Sequence, residues 1–376
     1  MSKFKKKINI AIYENLRSGG ARKLMLSNLA YLKNQNQFRI TVLKPEPSDF
    51  SSFTNYLGYI YNPAVIFKKP NQLANYINNN YDLLISYHSW ITKSPYILRY
   101  IKIPQIYICH EGFREFYEKD IRKYWGLKEY IVNILRFPLF LIDIYNVKNS
   151  GKLCLVSNSK FSKNKIDKLY NVDSKVVYPG INSNLTNLKV NKQNAIISVG
   201  SIISAKGFDF LIKIVGKVPE KIRPELIIVG NDENKKYVNH LKKIARKEAV
   251  LLKIYNNVSE KDLLLLYSKS KIFLYSPFNE PFGLVVLEAM AMGLPILASS
   301  NGGGYTEILN NGKTGFVLPT SKTKNWVSKI IDLLTNEKLN NKIGQYNKKV
   351  VKRYSNTEMN KKLHNIIIRQ IGLGQL

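Results

Sequence analysis

Short apolar runs recur along this chain, each closed by Gly, Pro, Ser or Asn and separated from the next by a helix-period segment. The first are "KINIAIYE" (7–14), "FRITVLKP" (38–45), "YDLLISYH" (81–88), "IPQIYICHE" (103–111), "GKLCLVSNS" (151–159) and "KVVYPGIN" (175–182). After a polar, Asn-rich stretch at 183–194 the rhythm resumes with "AIISVGS", "PELIIVGND", "LLKIYNNV", "KIFLYSP", "PILASSNGGG" and "GFVLPT". Strands that are apolar throughout are buried on both faces, and their alternation with helices describes a parallel sheet covered by helices. The pattern predicts an α/β fold made twice. A chain of 376 residues also exceeds one comfortable core. We therefore place a first domain at 1–182 and a second at 183–354, with a last helix, 355–376, expected to pack back on the first.

Composition narrows the function classes. The formal net charge is +32, which points to an anionic partner. Lysine outnumbers arginine 47 to 11, so part of that charge is compositional. Nucleic-acid readers use arginine forks with interleaved aromatics, and no such cluster occurs; no nucleic acid is expected. Cys109 and Cys154 have no metal-ligand spacing, and the basic start lacks a secretory h-region, so the expected setting is the reducing cytoplasm.

Residues 112–150 break the strand–helix rhythm. Arg136, Pro138 and Asp143 interrupt an apolar stretch there, which argues against a membrane-crossing helix and for an amphipathic helix pair. Phe113, Phe116, Tyr117, Trp125, Phe137 and Phe140 stand among Arg114, Lys119, Arg122, Lys123, Lys128 and Arg136. Such a surface is expected to lie in an anionic headgroup layer, peripheral on the inner face of the membrane. The alternative is a pair of core helices with solvated lysines.

The chemistry concentrates in the second half. In "SPFNEPFGLVVLEAMAMGLP" a strand ends near Tyr275, Glu280 sits in the loop, and a helix begins at Phe282–Gly283 and stops at Gly293. Unpaired amides at that helix start suit an anion, and Gly283 permits close approach. Glu288, inside the helix, can accept two hydrogen bonds from a diol such as ribose. Alone, each acid is more often structural, Glu280 as an ordinary helix-start charge and Glu288 on a solvated face or in an ion pair. Two neighbours change the balance: "VGSIISAKGF", which presents Lys206 and Gly207 after a strand, and "SSNGGGYTEIL", with Gly302–Gly304 after another. Ligands gather at strand carboxyl ends in such domains, and an ammonium there stabilises a departing diphosphate.

Together these residues resemble the retaining GT-B glycosyltransferases of family 4, the group 1 family. The Glu-x7-Glu motif is matched by Glu280 and Glu288, the Lys-Gly element by Lys206 and Gly207, and the Gly-Gly-x-x-Glu stretch by Gly303, Gly304 and Glu307. "SGGARK" (18–23), with Gly19 and Gly20, is similar to the family's Gly-Gly loop after the first strand, and "CHEGFREFYE" (109–118) to a subgroup pattern. The resemblance implies two Rossmann-like domains facing a cleft. It implies transfer of a sugar, with retention and without a metal or other cofactor, from a nucleotide-diphosphate sugar to a glycan or lipid-linked acceptor. Cell-surface polysaccharide or glycolipid synthesis is the implied setting. Glu288 would hold the ribose, the amides of Phe282, Gly283 and Leu284 the diphosphate, Lys206 the leaving phosphate, and Glu280 the sugar hydroxyls. His110 would stand beside the donor sugar or the acceptor hydroxyl. His88 is a second candidate at a strand end, while His240 and His364 read as surface residues.

One position departs from the family. Where it has arginine after the glycine of the "VG" turn, Gly200 is followed by Ser201. A lost charge-assisted phosphate contact costs about 1.5–3 kcal/mol, and Lys160 or Lys163 would have to replace it. Three rival readings follow: an inactive relative, a basic adaptor or nucleic-acid binder, and a phosphorylase of the same fold. The last needs a lysine in a pyridoxal-phosphate context, which the sequence does not show.

Overall fold

The computed structural model describes residues 7–16, 19–47, 49–118, 126–182, 190–231 and 235–372, without the side chains of 128 and 129. The chain divides into two units, Met1–Pro179 with Asn356–Leu376, and Gly180–Ser355.

In the first unit a parallel sheet runs in the order β2-β1-β3-β4-β5-β6. Its strands are β1 (Ile8–Tyr13), β2 (Phe38–Leu43), β3 (Leu83–Tyr87), β4 (Gln105–Cys109), β5 (Leu153–Ser157) and β6 (Lys175–Val176). Helices α1 (Gly20–Lys33), α2 (Phe53–Ile60) and α3 (Lys69–Asn80) precede β3. Short α4 (Arg114–Tyr117), long α5 (Leu127–Lys148) and α6 (Lys160–Tyr170) follow β4. β3 and β4 are buried along their whole length, as strands covered on both faces must be.

The second sheet is also parallel, in the order β12-β11-β10-β7-β8-β9. It comprises β7 (Ala195–Val199), β8 (Glu225–Gly230), β9 (Leu252–Asn256), β10 (Ile272–Tyr275), β11 (Ile296–Ser299) and β12 (Gly315–Leu318). Counted from β7, that is the doubly wound 3-2-1-4-5-6 order, whose direction of growth reverses between β7 and β10. Helices α7 (Phe208–Gly216), α8 (Lys235–Lys247), α9 (Glu260–Lys269) and α10 (Leu284–Ala291) connect successive strands, and α11 (Thr323–Thr335) and α12 (Glu337–Val350) follow the last. Their apolar faces close a core around Ile196, Leu226, Leu274 and the fully buried Trp326.

The terminal helix α13 (Asn356–Gln370) lies in the first unit. Its Asn360 amide donates to Ser27, and Gln370 donates to the carbonyls of Gln105 and Lys152. His364, read from sequence as a surface residue, is instead half-buried against Tyr31 and Phe38 and shares a hydrogen bond with Gln37. Burial lowers its pKa. His240 is exposed.

The aromatic–basic segment differs most from expectation. Phe113 is fully buried, and Phe116 stacks on Phe140 at 4.9 Å between ring centroids. Arg114 pairs with Glu111 and Glu118, and Arg136 with Glu115. These side chains belong to the unit's interior and its ion pairs, because aromatic area on α4 finds partners on the inward side of α5. Lys119, Arg122, Lys123, Trp125 and the side chain of Lys128 lie outside the described residues.

Candidate active site

The reversal between β7 and β10 holds a mostly buried charge pair. The turn leaving β7 brings Lys206 over Gly200, whose missing Cβ would meet the lysine methylenes at 3.6–3.7 Å. Gly207 then takes a left-handed φ of 68°. A Cβ there would stand 2.4 Å from the carbonyl oxygen of Ser276, at the exit of β10. Only glycine satisfies both demands. The two exits are tied further by Phe278 N–H donating to Ala205 and the Ser276 hydroxyl to Gly207. As a result the Lys206 ammonium lies 2.6 Å from the Glu280 carboxylate, with less than a fifth of either side chain exposed.

Glu280 is held from the other side by the exit of β11. Glu280 and Gly303 form an isolated parallel bridge, and Gly304 N–H donates to the Glu280 carbonyl at 3.0 Å. Gly303 has φ 155° and packs its bare Cα face on the Tyr305 ring. Tyr305 is fully buried, donates to the Ser299 carbonyl at 2.7 Å and meets Tyr275 edge-on at 5.1 Å. Three loops, from β7, β10 and β11, thus converge around one ion pair.

Beyond Glu280 the chain passes buried Phe282 and turns at Gly283, φ 87°, into α10. No side chain caps that helix; the Val286 amide is taken by the Gly283 carbonyl at 3.0 Å, and the amides of Leu284 and Val285 stand ahead of the helix's own ladder at its positive end. Glu288 sits one turn inside and accepts a hydrogen bond at 3.2 Å from Tyr267 of α9, which is fully buried. Burial, and then the Glu288 charge, push the Tyr267 phenol well above its ordinary pKa. It remains a donor at neutral pH and fixes the carboxylate. Sequence reasoning missed Tyr267; a lone tyrosine in a helix twenty-one positions upstream carries no local signal.

The remaining sequence candidates belong to the first unit. Gly19, φ 139°, precedes α1, and Gly20 is the first residue of that helix. His110 follows β4 and His88 follows β3, with rings edge-to-face at 5.2 Å. His110 Nε2 and His88 Nδ1 are buried without a hydrogen-bond partner among the described residues. Burial lowers the His110 pKa to about 4, against a weaker opposing pull from Glu111, and takes His88 well below its ordinary value. Both imidazoles are neutral at pH 7. Glu111 is held as a carboxylate by Lys93 at 2.9 Å and by Arg114.

Ser201 directs its carbonyl to the Ile203 amide. Neither proposed replacement for the missing arginine is in the second unit. Lys160 and Lys163 both lie in α6 of the first, where Lys163 is committed to Asp167, Asp173 and the Ser174 carbonyl. Among the described residues no three His, Cys, Asp or Glu side chains gather as a metal site.

Residues 184–350 match the family model of the glycosyl transferases group 1. The second unit is a group 1 glycosyl transferase domain. Comparison with solved structures extends the fold to the whole chain. A glycosyltransferase from Rickettsia africae superposes with TM-score 0.73 at 18% identity, covering 97% of this chain and 99% of that one. Anabaena HepE, crystallised with UDP and glucose, gives TM-score 0.70 at 16% identity over 96% and 100%. The two parallel sheets with their helices are therefore the GT-B fold. The Neurospora crassa alpha-1,3/1,6-mannosyltransferase alg-2 is 31% identical over 185 residues, 45% of this chain and 36% of the relative. The chain spans about half the length of the curated relatives it matches.

Proposed function

We propose that the chain is a glycosyltransferase that moves a sugar from a nucleotide-diphosphate donor to a hydroxylated acceptor with retention of configuration. The observation that carries this reading is the Lys206–Glu280 pair at the reversal of the group 1 sheet, with Glu288, bonded by Tyr267, on the helix that follows Glu280. Each half of a sugar nucleotide has a match there. A diphosphate fits the uncapped start of α10 and the Lys206 ammonium; a ribose diol fits Glu288; sugar hydroxyls fit Glu280. The group 1 family model and a GT-B neighbour crystallised with UDP and glucose support it.

In the reaction the bond from the anomeric carbon to the phosphate oxygen breaks, and a bond to the acceptor oxygen forms on the same face. The acceptor proton leaves with the departing phosphate. Lys206 stabilises the charge that grows on that phosphate, and in doing so exchanges Glu280 for it. Glu280 is then released to the donor hydroxyls. Lysine and helix amides supply the positive charge, so no divalent ion is required. The neutral His110 is suited to a hydroxyl in the N-terminal unit, where the acceptor is proposed to bind. The acceptor is a glycan or a lipid-linked sugar, as in cell-surface polysaccharide or glycolipid synthesis.

A thermal-shift panel of UDP-, GDP-, ADP- and TDP-sugars tests the donor, since a bound ligand raises the melting temperature by mass action. One nucleotide series is expected to stabilise the chain. No shift with any of them would remove the assignment, and activity abolished by a chelator and restored by Mn²⁺ would remove its metal-free form.

A further inference from the structure

The exits of β3 and β4 carry a second lysine–glutamate pair, which the transfer reaction as written does not use. Lys93, in the loop after β3, lies 2.9 Å from Glu111, which follows His110 at the end of β4. The two strands are neighbours in their sheet, as β7 and β10 are where Lys206 meets Glu280. The loop that holds Lys93 is closed on itself: Ser89 N–H donates to the Lys93 carbonyl and Lys93 N–H to the Ser89 carbonyl. The Ser89 hydroxyl accepts from the Ile91 and Thr92 amides, and the Tyr107 hydroxyl of β4 donates to the Lys93 carbonyl at 3.0 Å. Lys93 takes a left-handed φ of 56° there, which glycine would adopt at less cost. A lysine at such a position is kept for its side chain.

The charges around that side chain are unevenly satisfied. Glu111 also receives Nη1 of Arg114, at 3.4 Å. The rest of the Arg114 fork is taken by Glu118, at 3.2 Å from Nε and 3.0 Å from Nη2. Glu118 is only 5% exposed and has a further partner in Lys165 at 2.8 Å. Glu111 is 30% exposed, against 15% for Lys93 and 17% for Arg114. Its carboxylate is therefore the replaceable member of the group. If it turns out to water, Arg114 and Glu118 keep each other. Lys93 Nζ and Arg114 Nη1 then face one seat, which charge-assisted hydrogen bonds would fill with another anion.

We propose that the acceptor carries an anionic group, a phosphate or a carboxylate, which replaces the Glu111 carboxylate between Lys93 and Arg114 while the reacting hydroxyl lies by His110. His110 and Glu111 are consecutive, about 3.8 Å apart at Cα, a separation that one acidic or phosphorylated sugar can bridge. A neutral acceptor is selected against. Displacing Glu111 with a neutral group would leave two mostly buried cations without an anion. The inference rests on the acceptor binding in the first unit, as proposed above; the seat itself lies wholly within that unit.

Calorimetric titration of the full chain with inorganic phosphate, glucose-6-phosphate, glucuronate and, as a neutral control, glucose tests it. The two anionic sugars are expected to bind about tenfold or more tightly than glucose, and their order tells phosphate from carboxylate. Lys93→Met should weaken them about tenfold or more. Glu111→Gln should strengthen them, since the competing carboxylate is gone; a pair that merely braces two loops predicts no gain. Lys206→Ala removes the diphosphate site and should leave this binding in place. A readout free of any variant is NMR of the wild type, where the His110 ring signals should move with glucose-6-phosphate and not with glucose. No binding of any of the anions, an affinity unchanged by Glu111→Gln, or binding that Lys206→Ala removes and Lys93→Met spares would overturn the proposal. If the seat behaves as expected and no nucleotide binds, the donor assignment alone falls.

Discussion

The two sheets reverse direction at comparable points, and what stands at each differs in chemistry. In the second, between β7 and β10, a charged pair, Lys206 and Glu280, sits among glycines with an uncapped helix start nearby. In the first, between β1 and β3, Glu46 is bound by neutral groups, Tyr13, Asn15 and Ser89. Burial raises its pKa even against those hydrogen bonds. Close by in sequence, His88 follows the same β3 strand and is paired with His110, both neutral. One end presents separable charges, which suit a phosphate. The other also holds ion pairs, Glu14 with Lys44 and Glu111 with Lys93, but adds desolvated neutral imidazoles and hydroxyls, which suit hydroxyl groups. The same fold serves both because only the loops differ.

The largest expected effect is on the charged end. Lys206→Ala should lower transfer by 10²–10³, about 2.7–4 kcal/mol, the usual cost of removing a group that meets developing charge. A variant with near-normal rate would break the contrast. Gly207→Val should destabilise the second unit by about 2–4 kcal/mol, because its Cβ would meet the Ser276 carbonyl at 2.4 Å in a left-handed backbone. Urea unfolding measures it.

The neutral end is tested by acid. A histidine whose folded pKa is lowered from 6.5 to about 4 contributes stability that is present above 6.5 and lost as the pH falls towards 4. From pH 7 to pH 5 His110 alone should cost on the order of 2 kcal/mol, and His88 adds in the same direction. Asp143, raised to about 6 chiefly by burial, works the other way and gains stability over the same range. The net loss should shrink in His110→Gln, measured by melting temperature across that window. The smallest effect sharpens the charged end: Tyr267→Phe removes one hydrogen bond to Glu288 and should weaken nucleotide binding by about 1 kcal/mol, without altering the fold.

Much of this architecture is written locally. Each strand of both sheets lies within an apolar run that is visible in the sequence, since a strand buried on both faces admits almost nothing else. The Lys206–Gly207 turn is legible for a similar reason: the backbone geometry that presses one strand exit on another demands glycine at a single position. What the sequence hid depends on distant contacts. Tyr267 reaches Glu288 from another helix, and His364 is buried by residues more than three hundred positions away. Helix α5 misled for a third reason. Its aromatic and basic residues are interleaved, and periodicity does not tell which face turns inward; buried Asp143 and Asn146 decide that.

The central claim is that the second unit holds a sugar nucleotide between two acids, and calorimetric titration with the active nucleoside diphosphate and its sugar conjugate tests it most directly. Glu288→Ala should weaken both ligands by a similar factor, on the order of ten to a hundredfold, because the ribose is common to them. Glu280→Ala should weaken the sugar conjugate and leave the free nucleotide nearly unchanged. Equal affinities for wild type and both variants would contradict the account.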